Sequence, residues 1–120
     1  MAVPILKQGD TLIASVLAAL TDADLIELRD ELAQKIGKVR ARHVVIDVTS
    51  LDVLDSFATR TLRGIAYTAR LRGAETVIVG IQPDVAFAMV QLGLTMEGVA
   101  TALDLEEGLA LLAARRKERR

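Results

Sequence analysis

Val44-Val45-Ile46-Asp47-Val48-Thr49-Ser50-Leu51-Asp52-Val53-Leu54-Asp55-Ser56-Phe57 is the stretch on which the reading of this chain turns. Val44, Val45, Ile46 and Val48 form a β-branched run long enough for a buried strand. After Ser56, the apolar residues Leu62, Ile65, Ala66 and Ala69 fall at helical spacing. The stretch therefore enters as a strand and leaves as a helix. This predicts Ser56 at the N-cap, its side-chain oxygen accepting from the free amides of the first turn. Asp47, Asp52 and Asp55 lie close by in the chain. A serine at a helix start among acids has two readings, a plain cap or an acceptor for a kinase.

The second reading has physical consequences. A phosphate on Ser56 adds about two negative charges at neutral pH. The helix amides and dipole favour it, whereas Asp55 and Asp52 repel it. These terms oppose one another, so the fold is little affected. A partner docked over Ser56 is strongly affected, because burying a phosphate against apolar or acidic surface is costly.

Upstream, Val3 to Lys7 and Thr11 to Val16 read as short strands joined by a turn at Gln8-Gly9-Asp10. Thr21 or Asp22 caps a helix whose apolar face is Leu25, Leu28, Leu32, Ile36 and Val39. His43, the single histidine, is expected as a strand-edge residue. Downstream, a helix runs from Ser56 to about Leu71 and ends at Gly73. Arg60, Arg63, Tyr67 and Arg70 share its outer face, either as a solvated basic stripe or as a dock for an acidic partner.

Glu75 to Ile81 is the next strand, and a helix from Pro83 to about Leu92 follows, with Met89 as core filler. Val99 to Ala102 reads as a short edge strand. Asp104 and Glu107 have the spacing of a capping box before a last helix that packs through Leu105, Leu109, Leu111 and Leu112. The basic run Arg115 to Arg120 reads as a frayed, solvated tail. Strands alternating with helices predict an α/β domain with a mixed, mostly parallel β-sheet and about four packed helices.

At 120 residues the chain suits one domain, residues 1–120. No run approaches the roughly 20 apolar residues of a membrane span, and the start lacks the pattern of a signal segment. With no Cys, disulfides and thiolate metal sites are excluded. A net charge of -1 supplies no field for nucleic acid or an anionic membrane. Apolar residues reach 52 % while aromatics are only 2 %. The first figure favours exposed aliphatic contact surface and hence an assembly subunit. The second disfavours base-stacking platforms and aromatic ligand pockets.

Catalytic signatures are scarce. The chain has no Walker pattern and no G-x-G-x-x-G. His43 precedes the strand that Ser56 follows, so the two belong to opposite ends and form no hydrolase pair. The enzyme reading that remains is a magnesium site built from Asp47, Asp52 and Asp55.

Val44-Val45-Ile46-Asp47 followed by Leu54-Asp55-Ser56 resembles the central motif of STAS domains, the anti-anti-sigma fold. In that family the serine directly after the Asp is phosphorylated. The common continuation is Asp-Ser-Ser/Thr-Gly-Leu, whereas here it is Asp55-Ser56-Phe57-Ala58-Thr59. That departure is similar to the stressosome branch, the RsbS type. Val3-Pro4-Ile5-Leu6-Lys7, Gly80-Ile81-Gln82-Pro83 and Thr101-Ala102-Leu103-Asp104-Leu105-Glu106 agree with it, so the likeness covers almost the whole chain. RsbR-type proteins share the last two segments but carry a further N-terminal sensory domain and threonines at the phosphosites.

The resemblance implies a cytoplasmic scaffold without catalytic activity, cofactor or metal. It co-assembles with RsbR-type STAS proteins into a large hollow core and sequesters an RsbT-type serine/threonine kinase. Phosphorylation releases the kinase, and an RsbX-type phosphatase resets the system. Mapped here, Ser56 is the phosphoacceptor and Thr59 a secondary one. Asp47, Asp52, Asp55 and Phe57 form the switch region, with Arg60 and Arg63 on the partner-binding face. The alternative within the same fold is a monomeric anti-anti-sigma factor that binds an anti-sigma kinase. Phe57-Ala58 in place of Ser/Thr-Gly argues against it.

Overall fold

Every strand after the first two is reached through a helix, and this connection orients the sheet. The computed structural model describes residues 3–118, with side chains to residue 117. Met1, Ala2, Arg119 and Arg120, which include the end of the expected tail, lie outside the described residues. The elements are β1 (Ile5–Gln8), β2 (Thr11–Ser15), α1 (Asp22–Val39), β3 (His43–Asp47), α2 (Ser56–Leu71), β4 (Glu75–Val79), α3 (Pro83–Gln91), β5 (Ala100–Ala102) and α4 (Leu105–Glu118). They build a five-stranded sheet in the order β1-β2-β3-β4-β5. β1 pairs antiparallel with β2, and β2 to β5 are parallel. This is the expected α/β architecture.

Alternation along the strands divides the core into two. Leu12, Ala14, Val44, Ile46 and Ile78 face α1 and α2, where they meet Leu28, Leu32, Ile36, Leu62, Ile65 and Ala69. Ile13, Val45, Val77 and Val79 face the other way and meet Leu112 of α4, with Leu105, Leu109 and Leu111 packed around them. A side chain at Gly108 would press into Val79, with its Cβ 2.6 Å from Cγ1, so glycine is what lets α4 lie close on the sheet.

Local chemistry sets the ends of the elements. Pro4 has no N–H to give, so the β1 ladder begins at Ile5, later than Val3. Gly9, at φ +62°, and Asp10 close the hairpin between Gln8 and Thr11. Thr21 caps α1 in a box with Asp24, each side chain bonded to the other's backbone N–H at 3.1 Å. His43 stands at the strand end expected of it, as the first residue of the central strand, and is buried 3.7 Å from Asp10.

The expected tail is corrected as well. Arg115, Arg116 and Lys117 belong to α4. Arg115 pairs with Glu75 and Arg116 with Asp10, both at 3.0 Å, because the helix runs back over the start of β4 and the β1–β2 turn.

Candidate functional site

The loops after the parallel strands collect at one end of the sheet, the end at which open α/β sheets present their sites. β3 stops at Asp47, whose Oδ1 accepts from the Thr49 N–H at 2.9 Å and from its hydroxyl at 2.6 Å. That carboxylate is spent on turning the chain. Leu51 and Leu54 are buried and pin the loop twice, while Asp52 and Val53 between them face solvent.

A second loop holds the first. Gly80 ends β4 at φ +83°, and a Cβ there would collide with the side chain of Thr49. The Gln82 amide donates to the Thr49 carbonyl. The close approach needs a residue without a side chain, in a backbone region that only glycine enters cheaply. In sequence the Gly80-to-Pro83 segment carries part of the family resemblance and overlaps a strand expected to reach Ile81, whereas β4 stops at Val79. The segment's contact with Thr49 is a long-range one that no local pattern announces.

Asp55, not Ser56, caps α2. Its backbone is extended and its Oδ1 accepts from the Ala58 N–H at 2.8 Å. Ser56 is the first helical residue and is exposed. Asp and Ser are comparable cap formers, and spacing alone cannot separate neighbours. The charged oxygen makes the stronger bond to the first-turn amide. The hydroxyl of Ser56 is thereby left at the surface, on the positive end of a 16-residue helix.

The neighbours of Ser56 differ sharply in access. Thr59 is 0 % exposed, and its hydroxyl has no hydrogen-bond partner among the described residues. The secondary acceptor is therefore shut inside the α2 packing face. Phe57 is half-buried, and its carbonyl accepts from the Thr61 hydroxyl at 2.8 Å. Arg60, one turn beyond Ser56, is exposed, and Arg63 is half-buried.

The basic stripe is not uniformly solvated. The Tyr67 hydroxyl donates to the Glu97 carbonyl at 3.3 Å and Arg70 to the Gly98 carbonyl at 2.7 Å. The far half of the stripe thus fastens the α3–β5 loop. Asp47, Asp52 and Asp55 do not converge. Among the described residues no group of three His, Asp or Glu side chains stands where it would hold a metal.

Residues 2–108 match the STAS domain family. The chain is a STAS-domain protein. It is similar to an RsbS structure from Moorella thermoacetica solved with a glutamate in place of one serine. The TM-score is 0.82 at 37 % identity, covering 96 % of this chain and 97 % of that one. A chain in a structure of the stressosome, there called a signal integration and transduction hub, matches with a TM-score of 0.74 at 37 % identity. It covers 94 % of this STAS protein and 98 % of that chain.

The RsbT co-antagonist protein RsbRA of Bacillus subtilis (strain 168) is 24 % identical over 110 residues, which are 91 % of this chain and 40 % of RsbRA. This STAS protein spans less than half the length of the RsbR relatives it matches. Among the described residues, no helix is long and apolar enough to cross a membrane.

Proposed function

We propose that this STAS protein is an RsbS-like scaffold subunit of a cytoplasmic stressosome, which holds an RsbT-type serine/threonine kinase and releases it when Ser56 is phosphorylated. The observation that carries the reading is the exposed Ser56 hydroxyl at the first position of α2, directly after a capping carboxylate. Thr59 is too deeply buried to share the role. The likeness to RsbS and to RsbT co-antagonists supports the kinase and the co-assembly with RsbR-type proteins. Phe87, Val90, Leu92 and Leu103, large apolar side chains left exposed, supply the contact surface an assembly subunit needs. An RsbX-type phosphatase closes the cycle.

Release follows from charge. Transfer forms a bond from Ser56 Oγ to the γ-phosphorus of ATP as the bond to the ADP oxygen breaks, and the hydroxyl proton leaves to a base on the kinase. The new phosphate then faces the remaining nucleotide phosphates and repels them. Within the scaffold it finds the Ala58 amide already taken by Asp55. Its favourable partner is Arg60, at the (i, i+4) position. The fold loses little, and the docked kinase loses much.

The test is incubation with a purified RsbT-type kinase and Mg-ATP, read by intact mass. One added phosphate is expected on the wild type and none on Ser56→Ala. Ser56→Ala retains the kinase, and Ser56→Asp binds it at least about tenfold more weakly, or 1.4 kcal/mol. Equal binding by all three proteins would overturn the reading.

A further inference from the structure

Between the loop after β2 and the loop after β3 lies a cavity of about 120 Å³. Val16 and Leu20 wall one side, Leu51 and Leu54 the other, and Ala58 and Leu62 of α2 close it below. The one charged lining residue is Asp55, which immediately precedes Ser56, so the cavity reaches the start of α2. Water is poorly suited to it. A buried water needs two to four polar partners, and ten of the eleven lining residues are apolar, Asp55 being the exception. Apolar walls facing a void forgo their dispersion contacts, so an apolar guest is what the space favours. Cavities of about 150 Å³ hold a benzene ring. This one suits something slightly smaller, the isobutyl group of a leucine or the thioether of a methionine.

The surroundings of the mouth describe the rest of the guest. Val53 lines it 72 % exposed, and Leu17, next in the chain to the lining Val16, is 67 % exposed, an apolar collar awaiting cover. Beyond the collar acidic residues predominate, with Arg60 on the outer face of α2 as an exposed cation nearby. Residues 16–28 carry Asp22, Asp24 and Glu27, and residues 44–59 carry Asp47, Asp52 and Asp55, with no Lys or Arg in either segment. An apolar socket in an acidic rim is complementary to an apolar knob on a basic surface.

We propose that this cavity is the anchor socket for the kinase and takes one leucine or methionine side chain projecting from a basic surface of that protein. The inference rests on the kinase-holding reading above and names the contact that does the holding. Ser56 lies next to the socket, so seating the knob brings the hydroxyl to a fixed place against the kinase. The socket supplies affinity and the serine supplies the switch.

The experiment measures binding of a purified RsbT-type kinase by calorimetry, with a non-hydrolysable ATP analogue so that Ser56 stays unmodified. Ala58→Met and Ala19→Leu fill the cavity from two different segments of its lining. Each is expected to melt at or above the wild-type temperature and to bind at least tenfold more weakly. Asp52→Lys, on the rim, is expected to weaken binding several-fold and to flatten its dependence on salt. Filled, folded variants that bind like the wild type overturn the socket and leave the Ser56 reading standing. A wild type that does not bind the kinase overturns both. If a filled variant fails to fold, Val53→Asp probes the collar from an exposed position, and unchanged binding by it overturns the socket.

Discussion

The two ends of the sheet are built on different plans. At the end where the parallel strands begin, the connections into β2, β3 and β4 are short and cross-linked. The Asp10 carbonyl accepts from Arg42 and His43, Arg42 in turn accepts from Glu75, and Asp10 and Glu75 each hold an arginine of α4. At the end where those strands finish, the chain spends residues 16–21 and 48–55 on loops, leaves Leu17, Asp52, Val53 and Ser56 exposed, and encloses a cavity. One end ties the fold together, and the other is held in place so that it can meet something. Changes at the first end are therefore expected to move stability, and changes at the second to move binding.

Gly80→Val breaks the comparison hardest, because it attacks the tie that holds the second end still. A β-branched side chain at φ +83° that also collides with Thr49 is expected to cost about 3 kcal/mol. Chemical denaturation reads this, and kinase binding falls with it. A variant as stable as wild type would show that the Thr49 contact is dispensable.

Asp55→Ala sharpens the comparison. Losing the cap is expected to cost about 1 kcal/mol in the unmodified protein. The cost should be smaller once Ser56 is phosphorylated, since the phosphate can take the vacated Ala58 amide. Equal losses in the two states would show that cap and phosphate do not share that amide.

The smallest effect belongs to the first end. Arg115→Ala with Arg116→Ala removes two partly exposed ion pairs, for a loss expected at about 1 kcal/mol that shrinks further in high salt. Kinase binding should not change. A change would mean that the contact surface extends to α4.

Much of this architecture is legible without coordinates, for identifiable reasons. The β-branched run Val44-Val45-Ile46 specifies a strand covered on both faces, and three- and four-residue spacing in α1 specifies its buried stripe. Hydrophobic period is a local property and survives in sequence. Ser56 and its acidic neighbours are legible for the same reason, although the cap itself falls to Asp55. What escapes is contact between distant segments. Nothing near Arg115 announces Glu75, nothing near Tyr67 announces the Glu97 carbonyl, and no pattern joins Thr49 to Gly80. The cavity escapes most completely, because three segments enclose it and none is unusual alone.

The strand order carries a consequence for how the molecule is made. Order in the sheet equals order in the chain, from β1 to β5. No strand has to insert between two that are already paired. A polypeptide emerging from the ribosome can lay each strand on the edge left by the one before, and each crossover spans only a single helix. The slow step typical of parallel sheets, waiting for distant partners, is therefore kept short. By the time Ser56 begins α2, the three strands and first helix beneath it already exist to receive it.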